Sequence, residues 1–153
     1  MPIRKLKEYL DQQGVKYVVI THSPAYTSQE VAASAHVSGK EMAKTVVVEL
    51  DGRKALTVLP ANQKIVLHDL REVTGCDDVK FVPEEDFRSL FPDCEVGAMP
   101  PFGNLYNMEV YVAPALAEHE EIAFNAGSHT DLIRMAYRDF ERLVHPKVLN
   151  FTT

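Results

Sequence analysis

Apolar residues recur along this chain at two periods, and the alternation between them predicts the elements. Ile3, Leu6 and Leu10, at i, i+3 and i+7, predict an amphipathic helix over residues 3–13 that stops at Gly14. KYVVIT (16–21) is short and β-branched and reads as a strand. Thr27 precedes Glu30 by three residues, the capping-box spacing, and opens a helix carrying Val31, Ala32 and Ala35. AKTVVVEL (43–50) and RKALTVLP (53–60) flank Asp51-Gly52, the pair a type I′ hairpin turn favours. LHDLREVTG predicts a short helix with Leu67, Leu70 and Val73 on one side and Gly75 closing it. VKFV (79–82) predicts a strand. Pro83 then opens a helix with Glu84, Glu85 and Asp86 in its first turn and Phe87, Leu90 and Phe91 facing inward. NMEVYVAP (107–114), EEIAFNAG (120–127) and TDLIRM (130–135) are strand-like. AYRDFERLV (136–144) predicts a closing helix with Tyr137, Phe140 and Val144 aligned. Helices and strands interleave without a regular βαβ rhythm, which predicts an α+β (mixed α/β) fold: a mixed, largely antiparallel sheet surrounded by helices. With 153 residues, the chain is expected to form a single domain over 1–153.

Composition narrows the class. An apolar share of 46% and a charged share of 25% are those of a soluble globular protein. No apolar run approaches the ~20 residues of a membrane span. The opening MPIRKLKEYL lacks the apolar stretch of a secretory signal, so the cytoplasm is the expected location and no membrane partner is expected. A net charge of −6 argues against broad nucleic-acid binding, DNA included, yet leaves room for a small basic patch holding one nucleic-acid end. Arg4, Lys5, Lys7 and Lys16 crowd the N-terminal region, where a solvated helix face is the ordinary arrangement. Cys76 and Cys94 are the only cysteines and read as reduced, half-buried thiols. The six histidines show no HExxH spacing, and GxGxxG and Walker loops are absent; neither a metal nor a cofactor is expected.

Four stretches carry candidate chemistry. Lys44 shares a strand face with Val46, Val48 and Leu50, the more apolar one, so it must reach water, pair, or line a cavity that holds an anion or a carbonyl. In NAGSHTD (125–131), Ser128 and His129 are adjacent and point apart in extended chain, which argues against a Ser-His dyad, and no GxSxG elbow exists. A Gly127-Ser128 turn lending backbone N–H groups and a hydroxyl to a ligand is the better functional reading, a simple chain reversal the structural one. In HSPAYTSQEVAAS, Thr27 is a helix cap with Tyr26 before it, and an anion at the same helix start would be welcome. GAMPPFG (97–103) has no ionisable side chain: Gly97 would expose backbone, and Pro100 and Pro101 would stiffen it.

Taken in order, HSPAYTSQEVAAS, AKTVVV, the G-x-x-x-P of GAMPP followed by FG, and NAGSHTDLIRMAYRDFERL resemble the YbaK and prolyl-tRNA synthetase-associated (INS-like) editing domain family over roughly residues 3 to 145. The resemblance implies hydrolysis of wrongly charged aminoacyl-tRNA. It places the family lysine on Lys44, its polar neighbour on Thr45, and the GxxxP loop on Gly97 to Pro101, with Met99, Pro100 and Pro101 beside substrate. The glycine-serine turn falls on Gly127 and Ser128 with His129 alongside, and the aromatic pocket residue on Tyr26, next to Thr27. Lys44 and Gly97 are the expected catalytic pair and the others substrate-binding. The expected substrate is the 3′ end of a mischarged tRNA bearing a small amino acid such as Ala, Cys, Ser or Thr, with tRNA-Pro a candidate carrier and an aminoacyl-tRNA synthetase a candidate partner. The competing expectation is a non-catalytic module that binds aminoacyl-tRNA or a small acyl ligand.

Overall fold

The computed structural model describes residues 2–25 and 27–153, and its sheet is built around the expected hairpin. Asp51 and Gly52 take φ of 49° and 87°, the positive pair that lets a two-residue turn follow the twist of its strands. They join β2 (Met42–Leu50) to β3 (Arg53–Pro60) in an antiparallel ladder running from Ala43↔Pro60 to Leu50↔Arg53. Among the described residues six more strands complete the sheet: β1 (Tyr17–Thr21), β4 (Val79–Phe81), β5 (Val110–Val112), β6 (Glu121–Asn125), β7 (Asp131–Ala136) and β8 (Lys147–Val148). Their order is β1-β7-β6-β2-β3-β5-β8, with β4 also paired to β2. The ladders β1–β7, β6–β7, β2–β3 and β2–β4 are antiparallel, and the two- and three-residue ladders β2–β6, β3–β5 and β5–β8 are parallel. The fold is thus the mixed, largely antiparallel α+β arrangement that the sequence pattern predicts.

Helices cover both faces. α1 (Arg4–Gln12) and α6 (Tyr137–Val144) lie on one, where Leu6, Leu10, Phe140, Phe102 and Met99 share a core with Ala43 and Val47 of β2. Alternation sends the remaining β2 residues to the other face. There, α2 (Ser28–Ser34) buries Met42 beneath Val31 and Ala32, and α3 (Leu67–Thr74) buries Val48 and Leu50 beneath Leu70. Lys44 falls between these two cores, half-buried, while Val46 packs against the edge of the α3 core. The sheet is open at the same place. β6 pairs with Met42–Ala43 and β4 with Val48–Leu50 on the edge of β2 away from β3, and the Val47 oxygen accepts from the Val82 N–H at 3.3 Å, so residues 44–46 have a ladder partner only on the β3 side. Points where neighbouring strands part are favoured positions for ligand clefts.

Several expectations need correction. Val73 is 37% exposed: residues at i, i+3 and i+6 drift around a 3.6-residue helix, and α3 centres its narrow buried stripe on Leu70. Leu90 is 38% exposed because α4 (Glu84–Phe87) gives way to a 3₁₀ turn at Arg88–Leu90, whose tighter winding turns Leu90 outward while Phe91 stays buried. The strand expected over 107–114 forms only at Val110–Val112, since a 3₁₀ turn at Gly103–Leu105 and a positive φ of 59° at Asn107 hold the chain in a loop before it. In α6 the buried set is Tyr137, Phe140 and Leu143, with Val144 only partly covered. The four-residue α5 (Pro114–Ala117) and two-residue β8 are too short to leave a periodic signal. Among the described residues no helix is long and apolar enough to cross a membrane.

Candidate active site

Lys44 sits in the seam between α2 and α3, its Nζ 3.5 Å from the carbonyl oxygen of Ala61. It lines two adjoining clefts. One, of about 280 Å³, is completed by Thr27, Gln29 and Ala61; the other, of about 290 Å³, by Val46, Lys64, Ile65 and Phe81. Partial burial, and then the positive charge of Lys64, push the Lys44 ammonium below its ordinary pKa. Thr27 caps α2 as the sequence predicts, its Oγ1 accepting from the Glu30 N–H at 3.1 Å. Gln29 Nε2 donates to the Ala61 oxygen at 3.2 Å and ties the helix start to the end of β3. Tyr26, the expected aromatic pocket residue, lies outside the described residues. Thr45 points to the opposite face, half-buried between Ala43 and Val47 on the side where Met99 and Phe102 pack.

One residue beside Lys44 was not singled out from the sequence. Register carries β6 alongside β2, so Asn125 follows the Ala43↔Phe124 pair on the Lys44 side of the sheet. It is 7% exposed, and among the described residues its Oδ1 has no hydrogen-bond partner. A buried amide oxygen without a donor is costly, although Asn125 lines neither cleft at Lys44. Only the pairing of β6 with β2 discloses this, and that pairing has no local sequence signal.

The GxxxP loop is fastened to the 125–131 segment. Gly97 is exposed, with φ of 86°, a conformation that favours glycine, and among the described residues its N–H donates to no protein acceptor. Beneath it Met99, Pro100 and Pro101 are buried, and the Phe102 ring packs against Phe124, Phe140 and Tyr9. The Gly127 N–H donates to the Ala98 oxygen at 2.9 Å, and the Gly127 oxygen accepts from the Glu95 N–H at 2.8 Å. Gly127 therefore spends its N–H on the loop and has none to lend to a ligand. His129 is buried, and its Nε2–H donates to the Val96 oxygen at 2.8 Å. Gly97 and His129 line a separate cavity of about 780 Å³ with Glu95, Val96, Arg88 and Cys94. Burial pushes the Cys94 thiol above its ordinary pKa, so it is a poor thiolate there.

Ser128 and His129 form no dyad. Ser128 Oγ donates to Asp131 Oδ2 at 2.8 Å, while His129 turns away to Val96. Asp131 is 1% exposed and also receives Thr21 Oγ1 at 3.1 Å. Burial alone would raise its pKa, but hydrogen bonds that include those from Ser128 and Thr21 hold it below the ordinary value. The structure thus joins Lys44 with Thr27 on one side of the 125–131 segment and Gly97 with Gly127 and His129 on the other. Lys44 does not line the Gly97 cavity, and Met99, Pro100 and Pro101 line none of the three cavities. Asn125 and His129 are four residues apart, at most about 14 Å of extended chain, so the two groups border one stretch.

A half-buried lysine at a break in a helix-covered sheet, with Lys64 beside it, describes a small-ligand cleft with a cationic anchor. Residues 22–143 match the aminoacyl-tRNA editing domain, and the chain belongs to that family. It is 27% identical over 153 residues to the multifunctional Ser/Thr-tRNA deacylase ProXp-y of Escherichia coli (strain K12), covering 97% of this chain and 91% of the relative. It is 26% identical over 141 residues to the prolyl-tRNA editing protein ProX of Acetoanaerobium sticklandii, covering 88% and 85%. Among solved structures, a candidate trans-editing enzyme for prolyl tRNA synthetase superposes with a TM-score of 0.83 at 19% identity, over 99% of this chain and 96% of that one, and shares the fold. The family resemblance and the expectation of an editing deacylase agree with these matches.

Proposed function

We propose that this protein is a trans-acting deacylase, residues 1–153 working as one editing domain in the cytoplasm. It would hydrolyse the ester between a small amino acid (Ala, Cys, Ser or Thr) and the 3′ end of a mischarged tRNA, with tRNA-Pro among the carriers. The observation that carries the reading is Lys44, a cation half-withdrawn from water at the open edge of β2, in a chain of the editing family. Water adds to the ester carbonyl, the carbon–oxygen bond to the ribose breaks, and a proton passes to the departing ribose oxygen. Such an ester is activated enough that no protein nucleophile is required, which fits a Ser128 hydroxyl already committed to Asp131. The needed groups are an anchor for the substrate end, donors for the oxyanion, and room for water. Lys44 supplies the anchor, on the terminal phosphate or the acyl carbonyl, and the N–H of Gly97, which meets no protein acceptor among the described residues, is the backbone donor. The vicinal ribose hydroxyl helps position the water. Met99, Pro100 and Pro101 keep the loop stiff from beneath, while Gly127 and His129 fasten it from the side. Thr27 lines the cleft with Lys44, Thr45 faces the other side of the sheet and supports the strand from beneath, and Tyr26 adjoins Thr27 in sequence.

A stiff wall matters because small amino acids differ by a methylene or two, worth only about 1–3 kcal/mol to a pocket. The test is a panel of tRNAs carrying Ala, Cys, Ser or Thr, assayed for ester loss over time. Hydrolysis of at least one above the buffer rate is expected. Saturable binding with every ester intact would instead mark a binding module, and would end the enzymatic reading.

A further inference from the structure

The second cleft at Lys44 has a composition that the hydrolytic reading leaves unused. Phe81, on β4, is 49% exposed, and Val46 and Ile65 beside it are half-buried, so the cleft has an apolar floor and an aromatic wall. Phe81 pairs in register with Val48 and so stands on the Lys44 side of the sheet. Lys44 and Lys64 supply its polar groups, and no carboxylate lines it. Among the described residues neither lysine forms an ion pair, in a chain whose net charge is −6. Lys80, by contrast, is bound by Glu49 at 3.2 Å. Two cations held near each other without counter-charges, next to an exposed ring, are the combination that binds a single-stranded nucleic acid: phosphate between the ammonium groups, base on the ring.

We infer that the Lys44–Lys64–Phe81 cleft seats the nucleotide preceding the terminal adenosine of the RNA 3′ end, its base stacked on Phe81 and its 3′ phosphate between Lys44 and Lys64. This rests on the reading of the chain as acting on an aminoacylated RNA end. Lys44 lines both clefts, so a strand laid this way carries its terminal nucleotide past Lys44 toward Thr27, Gln29 and Ala61. Lys64 also lowers the pKa of Lys44, a second sign that the two charges are close enough to share one phosphate.

The test reads binding, not hydrolysis. The protein is titrated with an uncharged, 5′-labelled single-stranded RNA ending in CCA and followed by fluorescence anisotropy at low salt. Phe81→Ala should weaken binding about tenfold, within the range found for loss of one base–aromatic stack, and Phe81→Trp should restore it. Phe81→Leu, which keeps apolar bulk without a π-face, should behave like the alanine variant. Lys64→Gln should weaken binding and reduce the slope of log Kd against log salt by about 0.7, the release expected for one phosphate of a single strand. Equal affinity in wild type and Phe81→Ala, an unchanged salt slope in Lys64→Gln, or no saturable binding by the wild type overturns the proposal. Because the probe carries no ester, a protein that binds it through Phe81 yet hydrolyses nothing would refute the deacylase reading and leave this one standing.

Discussion

Lys44 is held with its ammonium partly out of water and near the charge of Lys64, and both effects disfavour its protonated form. Its folded pKa therefore lies below the unfolded one. The unfolded chain binds the extra proton between the two values, so this residue's contribution to stability rises as pH climbs toward 10.5 and is unfavourable at neutral pH. Lys44→Met should leave the melting temperature at pH 7 unchanged or raise it by about 1–2 °C, while deacylation of the best substrate falls at least tenfold. A thermal scan beside a single-turnover assay checks both. A marked loss of stability would make Lys44 a structural residue. Asp131 has the opposite sign: its carboxyl is held below the ordinary value, so its stabilisation is present above about pH 4 and fades as pH falls through the folded pKa. Asp131→Ala strands the Ser128 and Thr21 hydroxyls and should cost about 2–4 kcal/mol at pH 7. Denaturant titrations at pH 7 and pH 3 should show that gap narrowing with acid. The sequence displays Lys44 plainly, as a cation on an apolar strand face. Asp131 and Asn125 are silent in it, because polar residues at strand ends are common and their burial depends on pairings far along the chain.

At the scale of elements, the local signals were legible where one residue sets the backbone. Asp51-Gly52 turns the hairpin, Thr27 caps α2, and Gly75 ends α3 in the left-handed region. What local pattern could not convey is which face each strand presents. Both faces of β2 are covered, so Thr45 and Lys44 serve opposite sides of the sheet although they adjoin in sequence. The loop at Gly97 shows the same division: its unusual composition is visible in sequence, its attachment to Gly127 and His129 is not. Gly97→Ala probes the loop as an element. The alanine Cβ would meet only His129 Cε1 at 3.6 Å, an ordinary contact, so the cost comes from the backbone, about 1–2 kcal/mol at a positive φ. The expected result is a modestly destabilised protein with deacylation reduced at least tenfold. Full activity would make the loop a support and nothing more.

For the whole molecule, the acidic balance and the small cationic cleft together predict a weak salt dependence for the proposed RNA contact. A protein gripping a duplex through six to ten phosphates loses about 10³–10⁵ in affinity between 50 and 200 mM salt. With a net charge of −6 and two lysines at the cleft that form no ion pair among the described residues, this chain should show a far shallower dependence. The slope of log KM for aminoacyl-tRNA against log salt is expected to correspond to about one or two phosphates. A slope of five or more would place a second, larger RNA-contacting surface elsewhere on the molecule.

The clefts at Lys44 have walls of independent origin: Thr27 and Gln29 at the start of α2 form one, and Lys64, Ile65 and Phe81, with Ile65 packed on the α3 core, form the other. α2 belongs to one buried cluster and α3 to another, and the two share a floor strand but no common core. Substitutions beneath α2 can therefore shift that wall while β2 and α3 stay as they are. Descendants of one ancestral domain could in this way come to accept different acyl groups with the lysine left in place.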